Sequence, residues 1–78
     1  MYPNPASEYL HVKIEGVNVA NLQIAVHNII GNVIVADVEL MGENEFRLRV
    51  KEFTTGYYLL AMRDEDSAFK GTYKFLKR

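Results

Sequence analysis

The side chains of this sequence whose types could do chemistry are two histidines, an early serine and a short acidic run. Their spacing argues against each use. His11 and His27 fall on the polar sides of alternating runs, beside Lys13 and Gln23. A metal site needs several ligands converging within about 2–2.5 Å of one ion, and no local His/Asp/Glu spacing supplies that. Ser7 follows Pro3-Asn4-Pro5-Ala6 with no recognisable base or oxyanion donor beside it, so it reads as a turn residue. Asp64-Glu65-Asp66 offers carboxylates to a hard cation. It lacks the length of a calcium loop and reads as a solvated hairpin turn. Gly16, Gly31, Gly42, Gly56 and Gly71 are isolated from one another and form no phosphate-binding loop. The expectation is a chain that is not an enzyme, with no catalytic residue, no metal and no cofactor.

Binding chemistry is a separate question. Arg47, Arg49 and Lys51 make a basic stripe, but Glu43, Glu45 and Glu52 offset it and the net charge is −1. No global field draws in nucleic acid or an anionic membrane. Phe46, Phe53, Tyr57, Tyr58, Phe69, Tyr73 and Phe75 could stack bases or sugars. Most fall on apolar faces, where core packing accounts for them.

The elements that must carry these residues have a period of two. Leu10, Val12 and Ile14 alternate with polar neighbours, as do Leu22, Ile24 and Val26. Ile34, Ala36, Val38 and Leu40 share one face of a third run. Phe46, Leu48 and Val50 alternate with Arg47, Arg49 and Lys51; Tyr57–Met62 is apolar throughout; Phe69, Gly71, Tyr73 and Phe75 alternate to the end. Successive strand side chains point to opposite faces, so each run has a core side and a wet side. Gly, Asn, Asp, Ser and Thr break the runs at short intervals, and no stretch supplies a helix of about ten residues. The predicted fold is all-β: a small immunoglobulin-like antiparallel β-sandwich of about six to seven strands. The expected core is Leu10, Val12, Leu22, Ile24, Val26, Phe46, Leu48, Val50, Tyr58, Leu60 and Phe75.

A chain of 78 residues holds one domain. A core of that size leaves about 3–5 kcal/mol of net stability. Residues 1–7 read as a linker into the fold and residues 8–78 as the sandwich. There is no cysteine, hence no disulfide framework. No apolar run approaches the roughly 20 residues of a membrane span, and no basic segment followed by an apolar stretch is present near Met1, so no signal peptide is expected within this sequence. Met1 reads as the start of a fragment of a longer protein.

The order of motifs adds to this. The chain runs Tyr2-Pro3-Asn4-Pro5-Ala6-Ser7, then Leu22-Gln23-Ile24-Ala25-Val26-His27-Asn28-Ile29-Ile30-Gly31. Phe46-Arg47-Leu48-Arg49-Val50, Phe53-Thr54-Thr55-Gly56-Tyr57-Tyr58-Leu59-Leu60 and Thr72-Tyr73-Lys74-Phe75-Leu76-Lys77-Arg78 follow. From Tyr2 to Arg78 this resembles the C-terminal sorting domain of type IX secretion cargo, type A, the Por secretion tail family. It departs from the family pattern at Phe53-Thr54-Thr55, and at Asn28, where an aspartate is usual.

The resemblance implies a C-terminal signal that takes a fused N-terminal cargo through the outer-membrane type IX translocon of a Gram-negative bacterium. The route passes the periplasm and ends at the surface or outside the cell. A sortase-like protease of an attachment complex usually removes the domain. Pro3, Asn4 and Pro5 match the family's lead-in, with each proline fixing φ and stiffening the residue before it. Gly31 and Gly56 fit turns needing positive φ, and the Tyr58 hydroxyl is placed to tie a loop backbone. The last strand, Phe69–Arg78, is expected to carry the recognition information. Lys70 and Lys74 lie on its outward face, and Lys77 and Arg78 extend the charge. One side of it is expected to be an unpaired edge. The alternative is an extracellular adhesion or carbohydrate-binding module, which needs an exposed aromatic platform or a calcium site.

Overall fold

The computed structural model describes residues 1–3, 5–64 and 69–78. Asn4, and the Glu65 and Asp66 of the expected hairpin turn, lie outside the described residues. Seven strands run in order: β1 Tyr9–Lys13, β2 Leu22–Asn28, β3 Val33–Ile34, β4 Asp37–Leu40, β5 Glu45–Arg49, β6 Gly56–Asp64 and β7 Lys70–Lys77. The helical content among described residues is one short 3₁₀ turn, Val19–Asn21, whose start is capped by the Asn18 side chain.

The strands form two antiparallel sheets, one of order β1-β5-β4 and one of order β3-β2-β6-β7. Register sets which side chains meet. Leu10 and Val38 flank Leu48, and Val12 and Leu40 flank Phe46, on the inner face of the first sheet. Val26 and Tyr73 flank Leu60, and Asn28 and Phe75 flank Tyr58, on the inner face of the second. The core between them holds Leu10, Val12, Val26, Phe46, Leu48, Val50, Tyr58, Leu60, Met62 and Phe75, joined by Ala6 and Val19. Leu22 and Ile24, expected inside, are half-buried and pack against this cluster.

The run from Val33 to Leu40 does not form a single strand. It splits at Val35-Ala36, and β3 joins the second sheet while β4 joins the first. Ile34 and Ala36 pack against the core, but Val38 is 39% exposed and Leu40 55%. Both side chains face inward by register. They stay wet because β4 is a sheet edge and the opposing edge, β3, is two residues long.

The β2–β3 turn is built on Asn28. Its Oδ1 accepts from the N–H groups of Ile30, Gly31 and Asn32 at 3.1, 3.0 and 2.9 Å. Gly31 follows with φ +101° and Gly56 opens β6 with φ +149°, backbone conformations that an L side chain rarely adopts. An aspartate can accept the same three donors. Asn28→Asp is therefore expected to keep the thermal midpoint, and Asn28→Ala to lower it by about 4–8 °C, the shift for about 1 kcal/mol in a domain of this size. Scanning calorimetry on the two variants checks this.

Candidate functional site

The outer face of the first sheet is closed on itself by charge pairing. The Arg47 guanidinium donates to Glu39 at 2.7 Å and lies 4.2 Å over the Tyr9 ring. Arg49 faces Glu52 at 3.5 Å. His11 is half-buried rather than solvated: its ring stacks on Tyr2 at 5.2 Å, and its Nδ1 lies 4.0 Å from a Glu45 carboxylate oxygen. The same carboxylate accepts from the Tyr2 hydroxyl at 3.2 Å. Its charge, and then that hydrogen bond, push the Tyr2 phenol pKa above its ordinary value. The basic stripe foreseen along β5 is thus partly occupied by local acids and an aromatic ring.

The outer face of the second sheet has a different character. His27, Leu59 and Lys74 share one rung, Ala25, Ala61 and Thr72 another, and Gln23, Arg63 and Lys70 a third. A shallow depression of about 230 Å³ is lined in part by Ala25, Ala61, Arg63, Lys70 and Thr72. Lys74 sits 4.4 Å over the Tyr57 ring. Tyr57 and Tyr73 are 50% and 43% exposed, on opposite faces of the sheet, so they form no common stacking platform. Among the described residues no group of three His, Asp or Glu side chains is arranged to hold a metal.

The last strand, β7, is an edge, as the sequence suggests. Lys70 and Lys74 are exposed on its outer face. Lys77 is not: alternation turns it to the inner face opposite Gly56, where it is 7% exposed and its Nζ donates to the Arg78 carbonyl at 2.8 Å. The expectation that Lys77 lies with Lys74 as an exposed charge does not hold. Arg78 is exposed.

Among the described residues the edge is covered near its end. The Ala6 N–H donates to the Leu76 carbonyl at 2.8 Å, and the Arg78 N–H donates to the Ala6 carbonyl at 2.8 Å. The outward backbone groups on this side are thus those of Leu76 and Arg78. Because backbone polar groups alternate along a strand, those of Lys70, Thr72 and Lys74 point the same way. Among the described residues no strand meets them.

The lead-in proves more than a spacer. Pro3, after a cis Tyr2–Pro3 bond, is exposed, and Pro5 is half-buried. On either side of them Tyr2 and Ala6 are paired to different sheets. Tyr2 exchanges both backbone hydrogen bonds with His11 of β1, at 2.9 and 2.7 Å. Ala6 bridges β7 in parallel and is fully buried. No alternating run announces either contact, and one small apolar residue ahead of the first strand is the only sequence signal for Ala6.

Tyr58 is buried between Phe53, with ring centroids 4.9 Å apart, and Phe75, at 5.7 Å. Its hydroxyl donates to the Thr54 carbonyl at 2.7 Å and lies 3.0 Å from the Thr54 hydroxyl. It thereby fixes the turn leading into β6.

A family model described as a secretion system C-terminal sorting domain matches residues 1–78, the whole chain. No curated protein and no solved structure matches it.

Proposed function

This chain belongs to the C-terminal sorting domains of type IX secretion, and from that premise we propose that it offers the outer edge of β7 to the outer-membrane translocon. A sorting domain of this kind implies a fused cargo, the type IX machinery, and export to the cell surface or out of the cell. The cargo, lying ahead of the domain, waits in the periplasm of a Gram-negative cell until β7 docks. A sortase-like protease then removes the domain, which takes no catalytic part itself.

The observation that supports this is the stretch from Lys70 to Lys74. It combines outward backbone groups at a sheet edge, which no strand meets among the described residues, with two exposed lysines on the same strand. Such an edge pairs readily with an extended chain, main-chain hydrogen bonds giving affinity and side chains selecting the partner. Lysines there also keep free domains from pairing with one another.

The test is a periplasmic reporter carrying this chain at its C-terminus in a type IX-competent host. The reporter is expected outside the cell, and in the periplasm when the translocon is absent. Replacing Lys70 and Lys74 by Ala is expected to hold it in the periplasm while circular dichroism stays unchanged, since exposed charges contribute at most about 1 kcal/mol each. Normal delivery of the folded double variant would remove these two residues from the docking element.

A further inference from the structure

Residues near the two ends of the chain share one set of contacts. The lead-in is clasped at two points: Tyr2 on the free edge of β1 and Ala6 on the edge of β7. The second clasp uses the Leu76 carbonyl and the Arg78 N–H, which continue the row of outward groups at Lys70, Thr72 and Lys74. Ala6 therefore occupies the end of an edge on which, among the described residues, no strand meets Lys70, Thr72 or Lys74. A partner strand pairing along β7 as far as Arg78 needs the same carbonyl and the same N–H. Each accepts or donates one strand rung, so Ala6 and that partner exclude each other.

We infer that residues 2–7 are a latch: an extended partner strand taking the whole β7 edge displaces Ala6 and releases the segment joining the domain to what precedes it. This rests on the reading of β7 as the docking edge. In the free domain the segment is held to the sandwich at Tyr2 and at Ala6. Its backbone at Tyr2 and Ala6 is engaged in rungs, and Ala6 is fully buried. A protease needs an extended, detached backbone, so docking at β7 would present as substrate a segment that the undocked domain withholds. Docking and processing become one event, and the domain is not cut from cargo that has not engaged.

Arg78 lies beyond the last rung of the β6–β7 ladder, which ends at Lys77. Arg78→Pro removes the single N–H that reaches Ala6, while Arg78→Ala keeps it. By amide hydrogen exchange on the full chain, the Ala6 and His11 amides are expected to exchange about fivefold faster in the proline variant than in the alanine variant, the change for losing one net hydrogen bond. The Leu48 and Leu60 amides should be unchanged. A chain lacking Arg78 is expected to behave as the proline variant does. Equal rates at Ala6 in both variants, or a rise at Ala6 that leaves His11 unmoved, would overturn the single latch; so would a rise shared by Leu48 and Leu60.

The release step is read with Ala6→Cys and Lys77→Cys together, the pair bridged across the clasp. A reporter fused to the oxidised chain is expected to stay uncut, and to be processed once the disulfide is reduced. Processing of the oxidised chain at the normal rate would overturn the inference. The exchange arm involves no secretion machinery. Its failure leaves the sorting role intact, and a wild-type fusion that never leaves the periplasm overturns the sorting role without touching the coupled clasp at Tyr2 and Ala6.

Discussion

Leu48→Ala is expected to lower the stability of this domain by about 2–5 kcal/mol, the range for truncating a fully buried leucine. Leu48 is 0% exposed, at the centre of β5, the middle strand of its sheet. Leu10 and Val38 flank it on the same face. Neighbours held on both sides by backbone ladders cannot collapse into the space left behind, which puts the cost toward the upper part of the range. A domain this small has about 3–5 kcal/mol in all, so the variant should be partly unfolded at 25 °C without denaturant. Val38→Ala is the matched control. It removes carbon from the same rung and face, but Val38 is 39% exposed, and the expected loss is about 1 kcal/mol or less. Urea midpoints followed by circular dichroism compare the two. Equal shifts would mean that the side of β5 described here as the core is wrong.

Tyr58→Ala is expected to cost about 3–5 kcal/mol, because it removes a buried ring wedged between Phe53 and Phe75. Tyr58→Phe isolates the hydroxyl. It keeps both ring contacts and gives up the bonds to Thr54. Thr54 is exposed, so water can take over its carbonyl, and the loss should be about 1 kcal/mol. The same urea titration separates them. A phenylalanine variant as damaged as the alanine one would make the hydroxyl, rather than the ring, the main support of the turn before β6.

Where alternation ran unbroken, the strands could be read directly. Leu10-Val12 and Phe46-Leu48-Val50 took the buried sides foreseen for them, and the two-sheet β-architecture followed from their number and spacing. The Val33–Leu40 segment misled for a physical reason. Alternation reports which side chains share a face, and it is silent about whether another layer lies over that face or whether the strand changes sheets midway. Lys77 misled in the opposite sense. Its charge suggested exposure, while its parity with Phe75 placed it inward, and parity prevailed because the β6–β7 ladder fixes it opposite Gly56. Tyr2 gave no signal, and Ala6 only that of a small apolar residue ahead of β1, since a single-residue rung has no period to detect.

The rung between Ala6 and Lys77 also has a consequence for time. It joins residues separated by nearly the whole chain, and β1 must likewise wait for β5 before it has a partner. The β2–β3, β4–β5 and β6–β7 pairs, by contrast, are local. Long loops close slowly because their entropy is lost before any contact repays it. Closing the side of the sandwich between β1 and β7 should therefore be among the last steps of folding. A chain interrupted before β7 has no route to that state: the β6 edge stays bare, and Ala6 has nothing to bind.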